Sequence, residues 1–210
     1  MLTILRLIGG VLSPTRALAE YLKPKEENAA AAFIRSWNLA FLVVAAATWG
    51  VLCAVELGPR RILWLLALYL WVVPFGRVNE IFYAFLRDGL DRIKGDPVST
   101  ALRPYDRVVL VSRSYLEAIV NFGLLYYLAF REAFTRPFRD AVEAVYFSAI
   151  TITTVGYGDL APCRPISQLL VVYEVLIGIV LVVVAVSAYI DRAGRPGESD
   201  RRTTRAPSHE

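Results

Sequence analysis

Residues Thr151 to Asp159 read Thr-Ile-Thr-Thr-Val-Gly-Tyr-Gly-Asp, and an apolar run opens soon afterwards, near Ile166. Within this stretch, Thr154-Val155-Gly156-Tyr157-Gly158 is almost all backbone, with little side chain to obstruct it. Its two glycines can take φ > 0 at low cost, so successive carbonyls can point the same way. An ordinary strand alternates its carbonyls; this one can aim a row of oxygens at a single axis. A Gly-x-Gly alone signals no more than a tight turn. Here the setting decides, because the motif lies between an apolar helical segment and a run long enough to cross a bilayer.

Composition points to a membrane. The chain is 56% hydrophobic with mean hydropathy +0.48, above the usual soluble range. A bilayer needs about 20 helical residues, and four apolar stretches reach or approach that. They are Leu39 to Leu57, Ile62 to Phe75, Val108 to Phe130 and Ile166 to Ile190. The second is short. Pro74 and Gly76 end or kink it, so it must tilt or continue toward Leu86. Asn28 followed by four alanines marks a helix that starts in the cytosol and rises into the membrane.

Lys and Arg placement sets the orientation. With the N-terminus cytoplasmic, the basic residues of 1–36, 77–107 and 191–210 lie inside. They far outnumber Arg60, Arg61, Arg131, Arg136, Arg139 and Arg164 outside. The expected localisation is a multi-pass protein of the cell membrane with both termini in the cytosol. Leu2 to Leu12 followed by Ala17-Leu18-Ala19 imitates a secretory signal, but Arg6 interrupts its apolar core, and a short interfacial helix fits better. From Asn79 to Lys94, Ile81, Phe82, Phe85, Leu86, Leu90 and Ile93 share one face. Most charged residues take the other, as in an amphipathic helix along the cytoplasmic surface. It serves either as a cuff on a gate or as a passive anchor.

The expected divisions are a cytoplasmic segment 1–36, two peripheral transmembrane helices 37–76, an amphipathic linker 77–107, a pore domain 108–190, and a disordered tail 191–210 that buries almost nothing.

The nonapeptide resembles the TxTTVGYGD selectivity filter of potassium channels and matches that pattern without a gap. The resemblance is specific from about Phe138 to Ile190 and looser from Ser114. It implies an all-α membrane protein in which four transmembrane helices, a re-entrant pore helix and the filter form one subunit of a tetrameric potassium-channel pore. The carbonyls of Thr154, Val155, Gly156 and Tyr157 would line the ion sites, with Gly158 closing the run and the Thr154 hydroxyl at its inner end. K⁺, through filter carbonyls, would be the only metal. No cofactor, nucleic acid or small-molecule substrate is implied, and the partners would be three further copies and the bilayer.

Pro137 to Ile152 is expected as the pore helix, with Asp140 and Glu143 favourably placed in its first two turns. By resemblance, Tyr146 and Phe147 brace the filter, Ser148, Thr151 and Thr153 lie behind it, and Asp159 stands at its outer mouth. Some bacterial channels set a pore-helix carboxylate against that Asp. Here the position is Ile150, so Asp159 needs another partner. Glu174 and Gly178 fit the E-x-L-x-G pattern of bacterial inner helices. Glu174 either bonds behind the filter near Thr151 and Thr153 or faces the cavity. Gly178 is a hinge or a packing glycine, and Val182 and Val186 are candidates for an apolar gate.

Arg113 and Glu117, four apart, can pair on one helix face. No span carries the arginine ladder of a voltage sensor. Cys53 and Cys163 make no disulfide framework or zinc site, and His209 lies in the tail. No catalytic constellation is evident, so no enzyme is expected. Two other classes compete. A potassium transporter subunit would carry four filter repeats in one chain, against one here. A non-conducting or modulatory subunit on the same scaffold is the other alternative.

Overall fold

The computed structural model describes residues 13–54, 63–94 and 104–193. The expected interfacial helix at 2–12, the loop arginines at 60 and 61, and the tail beyond 193 lie outside them. The described residues form α1 (Pro14–Leu22), α2 (Glu27–Ala54), α3 (Leu63–Leu70), a π-helical turn (Trp71–Phe75), α4 (Gly76–Lys94), α5 (Pro104–Leu128), a 3₁₀ turn (Arg131–Ala133), α6 (Ala141–Ile152) and α7 (Pro165–Ala193).

Three helices among the described residues are long and apolar enough to cross a membrane: Glu27–Ala54, Tyr105–Leu128 and Pro165–Ser187. The second expected span is not among them. Its apolar part is α3, after which the chain stays helical through Pro74 into α4. Pro74 has no N–H to give to the preceding turn. The ladder widens into the π turn, and the Gly76 N–H reaches the carbonyls of Trp71 and Val73. Proline therefore loosens one turn without ending the helix. The boundary drawn at residue 76 falls inside this continuous run.

α2 shows why a helix can be almost wholly apolar and still pack specifically. Ala31, Asn38 and Ala45 recur every seven residues and are buried, whereas Leu39, Val43, Val44 and Val51 are exposed. Small side chains let two helices approach closely where hydrophobicity cannot distinguish lipid from protein. This stripe lies on α5. At one end Arg35 meets Asp106 at 3.2 Å; toward the other, the Trp49 Nε1 donates to the Ala141 carbonyl at 3.1 Å.

The core lies where α5, α6 and α7 meet. Phe122, Tyr126, Phe134, Phe138 and Phe147 interlock largely edge to face, with centroids 4.8 to 6.4 Å apart. Ile152, Ile177 and Leu181 continue it downward. α4 packs along α7 and α5 with Val78 and Ile81 buried. α1 sits on the π turn, where the Ser13 hydroxyl donates to the Gly76 carbonyl at 2.9 Å and Arg16 covers the Tyr83 ring.

Candidate functional site

The helix expected over 137–152 is α6 and starts four residues later, at Ala141, because Asp140 is its N-cap. Asp140 is extended, and its carboxylate accepts from the Glu143 N–H at 2.8 Å. Phe138, expected inside the helix, turns into the aromatic core instead. The Glu143 carboxylate is gripped by the Arg136 guanidinium at 2.7 and 3.0 Å and by the Arg139 N–H and Nε at 2.7 and 2.9 Å. Those bonds, Arg136 first, hold its pKa at about 2, below the ordinary 4.5. This group lies outside the three membrane-length helices. A depressed carboxylate stabilises the fold above its ordinary pKa and loses that contribution as pH falls toward the folded value. Thermal stability of the solubilised protein is therefore expected to fall between about pH 4.5 and 2. Glu143→Gln should be less stable at neutral pH and flatter across that window; equal slopes would dismiss the cluster as a contributor.

At the other end of α6 the backbone turns into the nonapeptide. The Thr154 N–H donates to the Thr151 carbonyl at 2.9 Å, and the Val155 and Gly156 N–H groups both donate to the Ile150 carbonyl, at 2.9 and 3.0 Å. Three successive amides thus face α6. Positive φ recurs at every second residue, Thr154 at 61°, Gly156 at 51° and Gly158 at 77°. Such alternation gathers N–H groups on one side, which leaves the carbonyls for the other. The glycines adopt φ > 0 as expected. Thr154 does so too, and for a β-branched residue that is a strained state held only by its surroundings.

Thr153 to Asp159 are all exposed in the single protomer, with Val155 at 53% and Tyr157 at 70%. The expected aromatic brace divides. Tyr146 stacks on Tyr157, their planes 9° apart, whereas Phe147 turns into the core. Thr151 is buried, and the exposed Thr153 returns its hydroxyl to the Ala149 carbonyl at 2.6 Å. Ile150 is buried and Asp159 exposed. Beyond the motif, the Thr135 and Cys163 N–H groups donate to Ala161 and Ala133, tying the return segment to the loop before α6.

Glu174 is fully buried, against α6 rather than in open space. Its partners are not Thr151 and Thr153. It accepts from the Ser148 hydroxyl, and from the Tyr126 hydroxyl at 2.6 Å. Ser148 and Ile152 lie one turn apart on the α6 face that meets α7, while Thr151 and Thr153 lie round the helix. Gly178 is buried inside the unbroken α7, and a Cβ there would lie 2.7 Å from the Ile152 carbonyl oxygen. Packing is thus a sufficient reason for this glycine. Val182 and Val186 are half exposed in the protomer.

The expected Arg113–Glu117 pair does not form. Glu117 is fully buried and bonds the Arg77 guanidinium at 2.7 and 2.8 Å, while Asn38 donates to Ser114 at 2.9 Å beside it. Arg77, assigned to the cytoplasmic face from sequence, is 3% exposed inside this cluster.

Residues 114–194 match the family model described as "Ion channel". The matched segment contains α6, the alternating-φ motif and all but the first ten residues of α5. Two pore potassium channel c of Oryza sativa subsp. japonica is 33% identical over 86 residues, 40% of this chain and 19% of that protein. Two-pore potassium channel 1 of Arabidopsis thaliana is 37% identical over 87 residues, 41% of this chain and 23% of that protein. Inward rectifier potassium channel Kirbac3.1 of Paramagnetospirillum magnetotacticum is 35% identical over 91 residues, 42% of this chain and 30% of that protein. The chain thus matches less than a third of each relative's length. No solved structure matches it. The similarity to potassium channels covers less than half of this chain, and two of the three membrane-length helices, Tyr105–Leu128 and Pro165–Ser187, lie largely within residues 114–194.

Proposed function

We propose that the chain is one subunit of a potassium-selective pore that conducts K⁺ passively across the cell membrane. Four copies, most simply identical, surround one axis, and the carbonyls of Thr154 to Tyr157 replace the water shell of the ion. The observation that carries this reading is the amide pattern. N–H groups 154–156 are tied back to Ile150 and Thr151, and φ alternates in sign from Thr154 to Gly158. A bare filter in the isolated protomer fits the same reading, since neighbouring copies complete it. So does the exposed apolar row Leu169, Val172, Leu176, Ile179, Val183 and Val186 on α7.

In this arrangement α2 and α5 rise through the bilayer, α3 with the π turn returns as a tilted second span, α6 re-enters, and α7 descends. Both termini are cytosolic. The Val182–Val186 level of α7, lined by α4, is the inner gate. Asp159 has the Arg136 guanidinium of its own protomer as a nearby opposite charge.

Reconstitution tests the reading. Liposomes bearing the protein should pass K⁺ in strong preference to Na⁺. Gly156→Ala forces an L-residue into the left-handed region at about 1–2 kcal/mol per subunit, so K⁺ flux should fall at least about tenfold. Equal flux from the variant would place the ion path elsewhere. Absent flux from intact tetramers would favour a modulatory subunit.

A further inference from the structure

Two consecutive residues of α7 make polar contacts in two directions. Tyr173 donates its hydroxyl to the Asn79 Oδ1 on α4 at 2.6 Å. The next residue, Glu174, takes the Ser148 hydroxyl of the pore helix and the Tyr126 hydroxyl of α5. Asn79 is itself oriented, because its Nδ2 donates to the Phe75 carbonyl at 2.8 Å, within the turn that Pro74 loosens. The Tyr173 ring is fixed edge-on against Phe82 of α4 at 5.5 Å and Phe122 of α5 at 6.2 Å. One turn below Glu174, Gly178 rests on the Ile152 carbonyl, the last residue of the pore helix. The carbonyl two residues earlier, at Ile150, holds the Val155 and Gly156 amides.

We infer that Asn79 and Tyr173 are positioning residues for the filter, so that the kinked peripheral helix sets filter geometry through the Tyr173–Glu174 pair. Adjacent residues of a helix point about 100° apart. The rotation of α7 that lets Tyr173 reach Asn79 is therefore the rotation that presents Glu174 to Ser148. A slide or turn of α4 reaches the pore helix directly, at filter level, without passing through the lower half of α7. The inference rests on the pore reading of the preceding section.

The test uses the full-length protein in nanodiscs and in liposomes. Tyr173→Phe removes one hydroxyl and leaves the ring contacts in place. It should speed hydrogen exchange of the 153–157 amides about two- to tenfold, the range one buried hydrogen bond supplies. The K⁺ over Na⁺ permeability ratio should drop by a similar factor. Asn79→Ala should do the same, and the double variant should be no worse than Asn79→Ala alone. Unchanged exchange at 153–157, with only the melting temperature lowered, would overturn the inference and leave a structural bond. Additive effects of the two substitutions would also overturn it. A wild-type protein without K⁺ preference would sink the pore reading instead, and the exchange measurement would still decide the link.

Discussion

Replacing Arg77 by leucine is expected to destabilise the protein by about 3–5 kcal/mol, the cost of leaving a buried charge without its partner. Arg77 lies on α4 and Glu117 on α5, with 3% and 0% of their side chains exposed. The guanidinium meets both Glu117 oxygens, reaches the Glu80 carboxylate at 2.8 Å and covers the Phe41 ring at 4.6 Å. Without it, two carboxylates would remain: Glu117 with Asn38 as its nearest remaining donor, at 3.5 Å, and Glu80 with the Trp37 Nε1 at 3.0 Å. Arg77→Leu combined with Glu117→Leu should recover much of the loss, because two apolar groups need no partner. Melting curves in mild detergent for the two single variants and the double give the coupling directly. A single-variant loss under about 1 kcal/mol would mean that Glu117 has other means of compensation.

The cluster also shows where a sequence falls short. Glu117 invited pairing with Arg113 because the i, i+4 neighbour is the one partner visible along a helix. Its true partner is 40 residues away, across a helix pair whose packing no local pattern specifies. Arg77 was counted among water-facing charges, because charge statistics describe such side chains, and it is buried instead. The membrane-length runs were readable for the opposite reason. Length and apolarity are local properties, and the stretches beginning at Leu39, Val108 and Ile166 fall in the three membrane-length helices. Ile62 to Phe75 is short, as its sequence says, and the chain continues helically past Pro74 and Leu86 to Lys94, Pro74 opening a π turn instead of ending the helix.

The nonapeptide divides along the same line. Positive φ at Gly156 and Gly158 follows from having no Cβ, so it was legible. Positive φ at Thr154 was not, since a β-branched residue argues against it. The carbonyls of Ile150 and Thr151 impose it by fixing the amides on either side. Glu174 was legible in kind, because a carboxylate in an apolar span must face protein or water. Its partners Ser148 and Tyr126 needed the fold.

Gly178→Ala is the second substitution with a large expected effect, and it separates two roles for one residue. A hinge glycine replaced by alanine gains about 1 kcal/mol of helix propensity and stiffens the helix. The hinge role therefore predicts an equal or higher melting temperature, an altered open fraction and unchanged selectivity. A packing glycine has no such freedom. The new Cβ would lie 2.7 Å from the Ile152 carbonyl oxygen and 2.8 Å from its Cγ1. The side chain can rotate away, but the carbonyl cannot move without moving the end of α6. Overpacking of this kind costs about 1–3 kcal/mol, enough to cancel the propensity gain. Ile152 stands two residues before Thr154, whose strained φ leaves little slack to absorb a shift. The expected result is a lower melting temperature together with about a tenfold loss of K⁺ over Na⁺ preference, since each 1.4 kcal/mol at the ion sites changes selectivity by that factor. Ile152→Val, which trims the side chain but keeps the carbonyl, should restore only part of either. Should Gly178→Ala melt higher than wild type and keep its selectivity, the contact with Ile152 yields freely and bending at Gly178 is its use.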